Sequence, residues 1–250
     1  MKNIRTCRIL GVNICATDMQ ETVRYIMEGL RELSGGYICL CNVHTLIMAS
    51  DDSGYAAIEN GAVLTLPDGE PIAAEERRRG YAGSVRVAGP DLMSAIFDTG
   101  GSVRHYFYGS SEETLKRLRK NLCEKYPDIQ IAGMFSPPFT DEKEQEEDDA
   151  EDVSRINSSG ADIIWVGLGA PKQERWMARH KDRISGIMIG VGAGFDFHAG
   201  TVSRAPEWMQ KAGLEWLYRL AQDPGRLFRR YFISNTRYLM RVGRDRRENK

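Results

Sequence analysis

Apolar and polar positions alternate along this chain in short blocks that switch between a period of two and a period near 3.6. In the first half, Arg8–Leu10, Tyr37–Cys41, Ala62–Leu66 and Val85–Val87 read as strands. Segments from Asp18 to about Leu33, Val43–Ser50, Glu70–Arg79 and Pro90–Asp98 read as helices. Gly35-Gly36 and Pro67-Asp68-Gly69 punctuate them. In the second half, Arg104–Tyr108, a turn at Gly109-Ser110, a helix over Ser111–Tyr126 and Ile129–Ala132 form a βαβ unit. Such a unit implies parallel pairing through a right-handed crossover. Two more strand–turn–helix passes follow, at 162–180 and from 187 onward. The pattern predicts an α/β fold: a mostly parallel, Rossmann-like sheet with helices on both faces, over residues 1–200. A helical C-terminal appendage occupies 201–250.

Ligands of such sheets gather at the carboxyl ends of the strands. This singles out Asn42, Asp68, Gly109, Gly167–Lys172 and Gly192–Asp196. In Gly167-Leu168-Gly169-Ala170-Pro171-Lys172-Gln173-Glu174 the glycines let backbone approach a diphosphate, with Lys172 and Gln173 at the helix start. The same stretch is also an ordinary tight turn with Pro171 at the first helical position. In Gly192-Ala193-Gly194-Phe195-Asp196 the glycines can admit a base or ribose, with Asp196 accepting hydrogen bonds; a turn with an Asp cap has the same sequence. Neither is a Walker motif or a dinucleotide fingerprint, and Gly11–Cys15 after the first strand does not supply one.

Leu66-Pro67-Asp68-Gly69 is the sharpest acid/base candidate. A carboxylate at the end of a buried strand is positioned and partly desolvated, and can take a proton from an attacking hydroxyl. Pro-Asp-Gly is equally common turn chemistry. Asn42, at another strand end, can cap the following helix or hold a sugar; His44 nearby is a base or a hydrogen-bonded structural residue. No DxD-like pair suggests a metal-bound diphosphate, since Asp51-Asp52 and Asp148-Asp149 lie in polar loops or acidic runs. A metal-free, cofactor-free site is therefore expected, with arginines neutralising the leaving group. Arg86, Arg219, Arg226 and Arg229 are available.

The formal net charge of −1 conceals an asymmetry. From Arg219 to Lys250, ten Lys/Arg stand against Asp223, Asp245 and Glu248, leaving a tail of +7 on an acidic remainder. Trp208, Trp216, Tyr218, Phe228, Tyr231, Phe232 and Tyr238 interleave with these cations. This combination favours an anionic bilayer surface over nucleic acid. Asp141–Asp152 holds nine carboxylates and reads as a solvated helix start or loop. Five cysteines without CxxC spacing (Cys7, Cys15, Cys39, Cys41, Cys123) argue against a disulfide framework or zinc site, and suit a reducing cytosol. No signal-peptide pattern and no 18-residue apolar stretch is present.

Taken together, these residues resemble the WecG/TagA/CpsF family of bacterial glycosyltransferases over nearly the whole chain. The resemblance is carried by Leu66-Pro67-Asp68-Gly69, Arg86-Val87-Ala88-Gly89-Pro90-Asp91-Leu92, Gly167–Glu174, Gly190–Pro206 and Gly213-Leu214-Glu215-Trp216-Leu217-Tyr218-Arg219-Leu220. It implies metal-independent, inverting transfer of a hexose, with N-acetylmannosamine-type favoured, from a UDP-sugar. The implied acceptor is a polyprenyl-diphosphate-linked GlcNAc-type sugar at the cytoplasmic membrane face, for cell-wall or surface polysaccharide synthesis. It places the base at Asp68, the strand-end asparagine at Asn42, the segment-opening arginine at Arg86, the donor-loop glutamine at Gln173 and the Gly-Phe-Asp aspartate at Asp196. The appendage arginines fall on Arg219, Arg226 and Arg229, in an appendage that closes the site and contacts the membrane. It also implies self-association through the core. The family's Thr-x-Asn threonine is Leu40 here, with Thr45 as a substitute hydroxyl. A non-catalytic UDP-sugar-binding membrane adaptor and a nicotinamide oxidoreductase are the rival readings; the first has no need of Asp68, and the second demands NAD(P) binding.

Overall fold

The computed structural model describes residues 4–138, 145–211 and 213–248. A six-stranded sheet runs in the order β4-β3-β8-β7-β5-β6, flanked by helices, and a separate two-stranded hairpin is made by β1 (Thr6–Ile9) and β2 (Val12–Cys15). The sheet strands are β3 (Tyr37–Cys41), β4 (Leu64–Pro67), β5 (Arg104–Gly109), β6 (Gln130–Phe135), β7 (Ile163–Gly167) and β8 (Ile187–Gly190). The pairs β3–β8, β8–β7, β7–β5 and β5–β6 are all parallel, as the α/β pattern predicts. Chain contacts divide the molecule into two compact units.

The first unit comprises Gln20–Cys39 and Gly89–Val202. Its strands β7 and β8 are near-continuous buried runs, as expected of parallel strands covered on both faces. Around them lie α5 (Gly89–Phe97), α6 (Glu112–Lys125), α7 (Gln145–Ser159), α8 (Lys172–Arg179) and the short α9 (Gly194–Ala199). Helix α6 starts where Ser111 Oγ accepts the Thr114 amide, with Glu112 and Glu113 in the first turn. Aromatic rings fill its core: Phe97 sets its edge against His105 (5.1 Å) and Trp165 (5.7 Å), and Phe107 meets Phe195 at 5.6 Å.

The second unit comprises Lys2–Met19, Leu40–Ala88 and Ser203–Lys250. Its core joins Cys7, Ile9, Val12 and Ile14 of the hairpin to Leu46, Ile47, Tyr55, Ile72, Tyr238 and Val242. These come from α2 (Val43–Asp51), α3 (Ser53–Gly61), α4 (Glu70–Arg78) and α12 (Pro224–Glu248); α10 (Glu207–Lys211) and α11 (Glu215–Gln222) precede α12. Leu227, Ser234, Tyr238 and Val242 form the buried stripe of α12, at helical spacing. Tyr238 donates to the Pro71 carbonyl at 2.9 Å, Arg246 pairs with Glu75, and Arg79 pairs with Glu75 and Asp245.

The structure departs from the sequence reading in five places. Val12–Cys15 is a strand, because Leu10 (φ 47°) and Gly11 (φ 90°) make a tight turn that folds it back on β1. Val85–Val87 is not a strand: the Val85 and Val87 amides each reach a single carbonyl, Thr17 and Pro67, and no ladder forms. The first long helix, α1 (Met19–Glu28), stops five residues short of Leu33. Asp51-Asp52 does not lie in a loop. Asp52 caps α3 through the Gly54 and Tyr55 amides, and Asp51 ends α2 in ion pairs with Arg237 and Arg241. Pro171 is the N-cap of α8 rather than its first helical residue. Of the acidic run, 141–144 lies outside the described residues, and the remainder opens α7.

Candidate functional site

Asp68 follows the last residue of β4, where its amide donates to the Cys41 carbonyl at 2.8 Å. That bond brings two strand ends together, so Asn42 stands beside Asp68. Asn42 Nδ2 lies 3.5 Å from Asp68 Oδ2. The orientation of Asn42 is fixed by local chemistry. As N-cap of α2 its Oδ1 accepts the amides of His44 (3.0 Å) and Thr45 (3.2 Å), while Thr45 Oγ1 accepts the Asn42 amide at 3.0 Å. This reciprocal capping box leaves the amide nitrogen of the side chain to face the carboxylate. Thr45 is buried and its hydroxyl is committed to this box; Leu40 is buried as well. His44 Nδ1 contacts Ser234 Oγ at 3.0 Å.

Burial pushes the Asp68 carboxyl above the ordinary aspartate range. Arg86, the hydrogen bond from Asn42, and Arg219 act against that rise, and Glu215 adds to it. Arg86 Nη1 donates to Glu215 Oε2 at 2.6 Å, and Arg204 Nε reaches Glu215 Oε1 at 3.4 Å. A carboxyl group whose proton affinity is raised by desolvation, with cations in reach, is equipped to accept a proton in a polar reaction.

The first unit assembles the glycine turns. Strands β5, β7 and β8 end level with one another: Gly109 pairs with Gly167, and Val166 with Gly190. A Cβ on Gly109 would stand 2.7 Å from the Gly167 carbonyl carbon, and one on Gly167 would stand 2.6 Å from the Phe195 ring. Only glycine permits this approach of the β5 and β7 ends to each other and to the Phe195 ring. Beyond them, Gln173 Oε1 accepts the amides of both Gly169 (3.2 Å) and Gly192 (3.0 Å), and its Nε2 donates to Glu174 Oε1 at 2.8 Å. Gln173 is thus a buried tie between the two turns. Lys172 opens α8 and is half-buried. Gly194 packs on Met93, and Asp196, in the first turn of α9, accepts from the Thr201 hydroxyl at 3.3 Å.

The structure therefore gathers Asn42, Asp68, Arg86 and Arg219 in the second unit, and Gly109, Gly167, Gly169, Gln173 and Gly192 in the first. Arg229 is exposed on α12, and the Arg226 side chain lies outside the described residues. Sequence reasoning missed Arg204 and Glu215 as members of the charged cluster. Both stand within segments singled out above, but a pairing across 129 residues, from Arg86 to Glu215, leaves no local signal.

The C-terminal helices also carry exposed apolar side chains. Trp208, Trp216, Leu217, Phe228, Phe232, Leu239 and Met240 are exposed; Phe228 and Phe232, one helical turn apart, stack at 5.9 Å. No helix among the described residues is long and apolar enough to cross a membrane.

The N-acetylglucosaminyldiphosphoundecaprenol N-acetyl-beta-D-mannosaminyltransferase of Bacillus subtilis (strain 168) is 28% identical over 219 residues, covering 86% of this chain and 82% of its own. The protein of the same name from Bacillus spizizenii is 28% identical over 216 residues, covering 85% and 80%. A sulfate-associated arylmalonate decarboxylase variant matches with 14% identity over 76% of this chain and 79% of that one, at a TM-score of 0.25, too low to bear on the fold. A sequence model of the Glycosyl transferase WecG/TagA/CpsF family matches residues 7–250, and the chain belongs to that family of glycosyltransferases.

Proposed function

We propose that the protein transfers an N-acetylmannosamine-type hexose from a UDP-sugar to a polyprenyl-diphosphate-linked GlcNAc-type acceptor, with inversion and without a metal ion. The observation that carries this reading is the Asp68 carboxyl group, desolvated at a strand end and held by Asn42 among Arg86 and Arg219. The names of the two Bacillus relatives supply the transferred sugar and the acceptor class.

In the proposed reaction Asp68 takes the proton of an acceptor hydroxyl. The hydroxyl oxygen forms a bond to the anomeric carbon from the face opposite UDP, and the bond to the diphosphate oxygen breaks. The negative charge that develops on the diphosphate is met by backbone N–H groups of the glycine turns other than the Gly169 and Gly192 amides, which Gln173 already engages. Gln173 serves by holding Gly169 and Gly192 in register, Asn42 by orienting the base, and Asp196 by accepting from the nucleoside. Arg219, with Arg226 and Arg229 of the C-terminal segment, supplies further positive charge.

The exposed aromatic and aliphatic side chains of α10–α12, with the basic tail, support peripheral attachment to an anionic bilayer carrying the acceptor. Each cation near such a surface adds about 1 kcal/mol. The test is UDP release from a panel of UDP-sugars, with a short-chain polyprenyl-diphosphate-GlcNAc acceptor and excess chelator. Release from one donor, dependent on acceptor and with inverted anomeric configuration in the product, is the expected result. Release abolished by the chelator contradicts the metal-free mechanism, and a product that retains configuration contradicts direct displacement.

A further inference from the structure

Glu215 is the one carboxylate described on α11, at its first residue, and it accepts from two guanidinium groups at once. Arg86 Nη1 is 2.6 Å from one of its oxygens and Arg204 Nε is 3.4 Å from the other. All three side chains are largely withdrawn from solvent, at 16% exposure for Arg86, 15% for Glu215 and 26% for Arg204. Screening by water is weak at such a position, so the pairs constrain both geometry and charge. Arg86 has a second restraint from its backbone, because the Val87 amide donates to the Pro67 carbonyl, one residue before Asp68. The arginine, its carboxylate and the base are thereby tied into one frame.

We propose that Glu215 is a positioning residue for the transfer reaction: its carboxylate, braced on its other oxygen by Arg204, sets the Arg86 guanidinium beside Asp68, and its negative charge offsets that of Arg86 where the base takes a proton. The inference rests on the reading of Asp68 as the base. Without an opposing carboxylate, Arg86 and Arg219 would favour an ionised, weakly basic Asp68; with one, the base keeps more of its proton affinity. The groups acting on Asp68 are Arg86 and Arg219, which favour its charge, Asn42, which donates to it, and Glu215, which opposes it. Glu70, two residues on, is engaged by Arg77.

The test is the pH dependence of kcat/KM for UDP release from the productive donor and lipid acceptor. Wild type, Glu215→Gln, Glu215→Asp and Asp68→Asn are compared, with thermal melts to confirm folding. Glu215→Gln is expected to lower kcat by on the order of 10–10²-fold through misplacement of Arg86. It also moves the acid limb of the profile to lower pH, because a negative charge facing the base has gone. Glu215→Asp retains the charge, so its limb stays at the wild-type position and part of kcat returns. A folded Glu215→Gln enzyme whose acid limb does not move overturns the proposal, since a purely structural tie would lower turnover without touching the limb. Should that variant not fold, Arg86→Gln combined with Glu215→Gln removes the pair without stranding a charge. Its acid limb is expected below that of Arg86→Gln alone, and coincidence of the two overturns the proposal. Asp68→Asn with wild-type turnover would instead sink the base assignment itself, independently of Glu215.

Discussion

Asn42 Nδ2 faces Asp68 Oδ2 at 3.5 Å while Asn42 Oδ1 caps α2 through the amides of His44 and Thr45. One side chain therefore serves helix stability with one atom and the candidate base with another, and substitution can separate the two. Asn42→Ala removes both roles and is expected to cost about 0.5–2 kcal/mol of stability. Asn42→Ser keeps a capping oxygen but cannot reach Asp68. It is expected to melt near wild type while its kcat/KM acid limb moves to higher pH, because a hydrogen bond favouring the charged carboxylate has gone. Melting curves and pH–rate profiles of the two variants check this; an unmoved limb in Asn42→Ser rules out a role for the contact.

The Gln173 tie makes a similar claim for the glycine turns. Gln173→Leu leaves the Gly169 amide without its side-chain acceptor and the Gly192 amide with only the Val166 carbonyl at 3.4 Å, at a cost of about 1–3 kcal/mol for the amide left unsatisfied. UDP affinity measured by calorimetry is expected to weaken by roughly 10-fold, equivalent to about 1.4 kcal/mol. The pH profile should not change. Unaltered UDP binding in this variant removes the turns from the donor site.

Two glycines of the Gly167–Gly169 turn are required for different reasons, and alanine distinguishes them. Gly167→Ala drives a methyl group into the Phe195 ring and is expected to destabilise by about 1–3 kcal/mol, with partial relief from Phe195→Leu. Gly169→Ala meets nothing within 4 Å, and its cost is the φ of 79°, about 1–2 kcal/mol. Phe195→Leu should give it no relief. Denaturant melts of the four variants decide the matter.

Two buried groups oppose one another in the dependence of stability on pH. His105 accepts from Trp165 Nε1 at 3.3 Å, and burial lowers its pKa from 6.5 to about 4. Between those values the unfolded chain binds a proton that the folded chain does not, so stability falls as pH drops from 6.5 towards 4, by up to about 3 kcal/mol. Glu76, whose Oε2 accepts from Ser84, is raised by burial from 4.5 to about 7. Here the folded chain holds the extra proton, so stability is full below 4.5 and is lost as pH rises towards 7. Melts across this range should show Glu76→Gln gaining on wild type at the alkaline end. His105→Gln should lose the acid-side slope. Parallel curves for wild type and either variant would contradict the corresponding assignment.

The strand-end chemistry was legible because it is local. Leu66-Pro67-Asp68-Gly69 announces a carboxylate on a turn after an apolar run, and the β5–α6–β6 unit follows from its alternation, Ser111 cap and crossover length. The hairpin was hidden because Leu10 is not a residue that advertises a positive-φ turn, and Val12–Cys15 is only four residues long. Val85–Val87 is β-branched enough to read as a strand, yet no neighbouring strand offers it a ladder. Asp52 looked like loop polarity because an N-cap and a loop share a sequence signature. The Arg86–Glu215–Arg204 cluster depends on tertiary proximity between charged residues that singly look like solvated surface. The division of labour within Gln173 was equally invisible, since a side chain reaching a ligand and one tying two turns have the same sequence.

The most direct test of the central claim is acceptor-dependent UDP release by Asp68→Asn beside wild type, with UDP affinity measured on both proteins. Loss of turnover by about 10²–10⁴-fold, with UDP binding retained, is the expected outcome for removal of the base. Turnover at the wild-type rate by a folded Asp68→Asn enzyme would contradict the account and place the proton acceptor elsewhere.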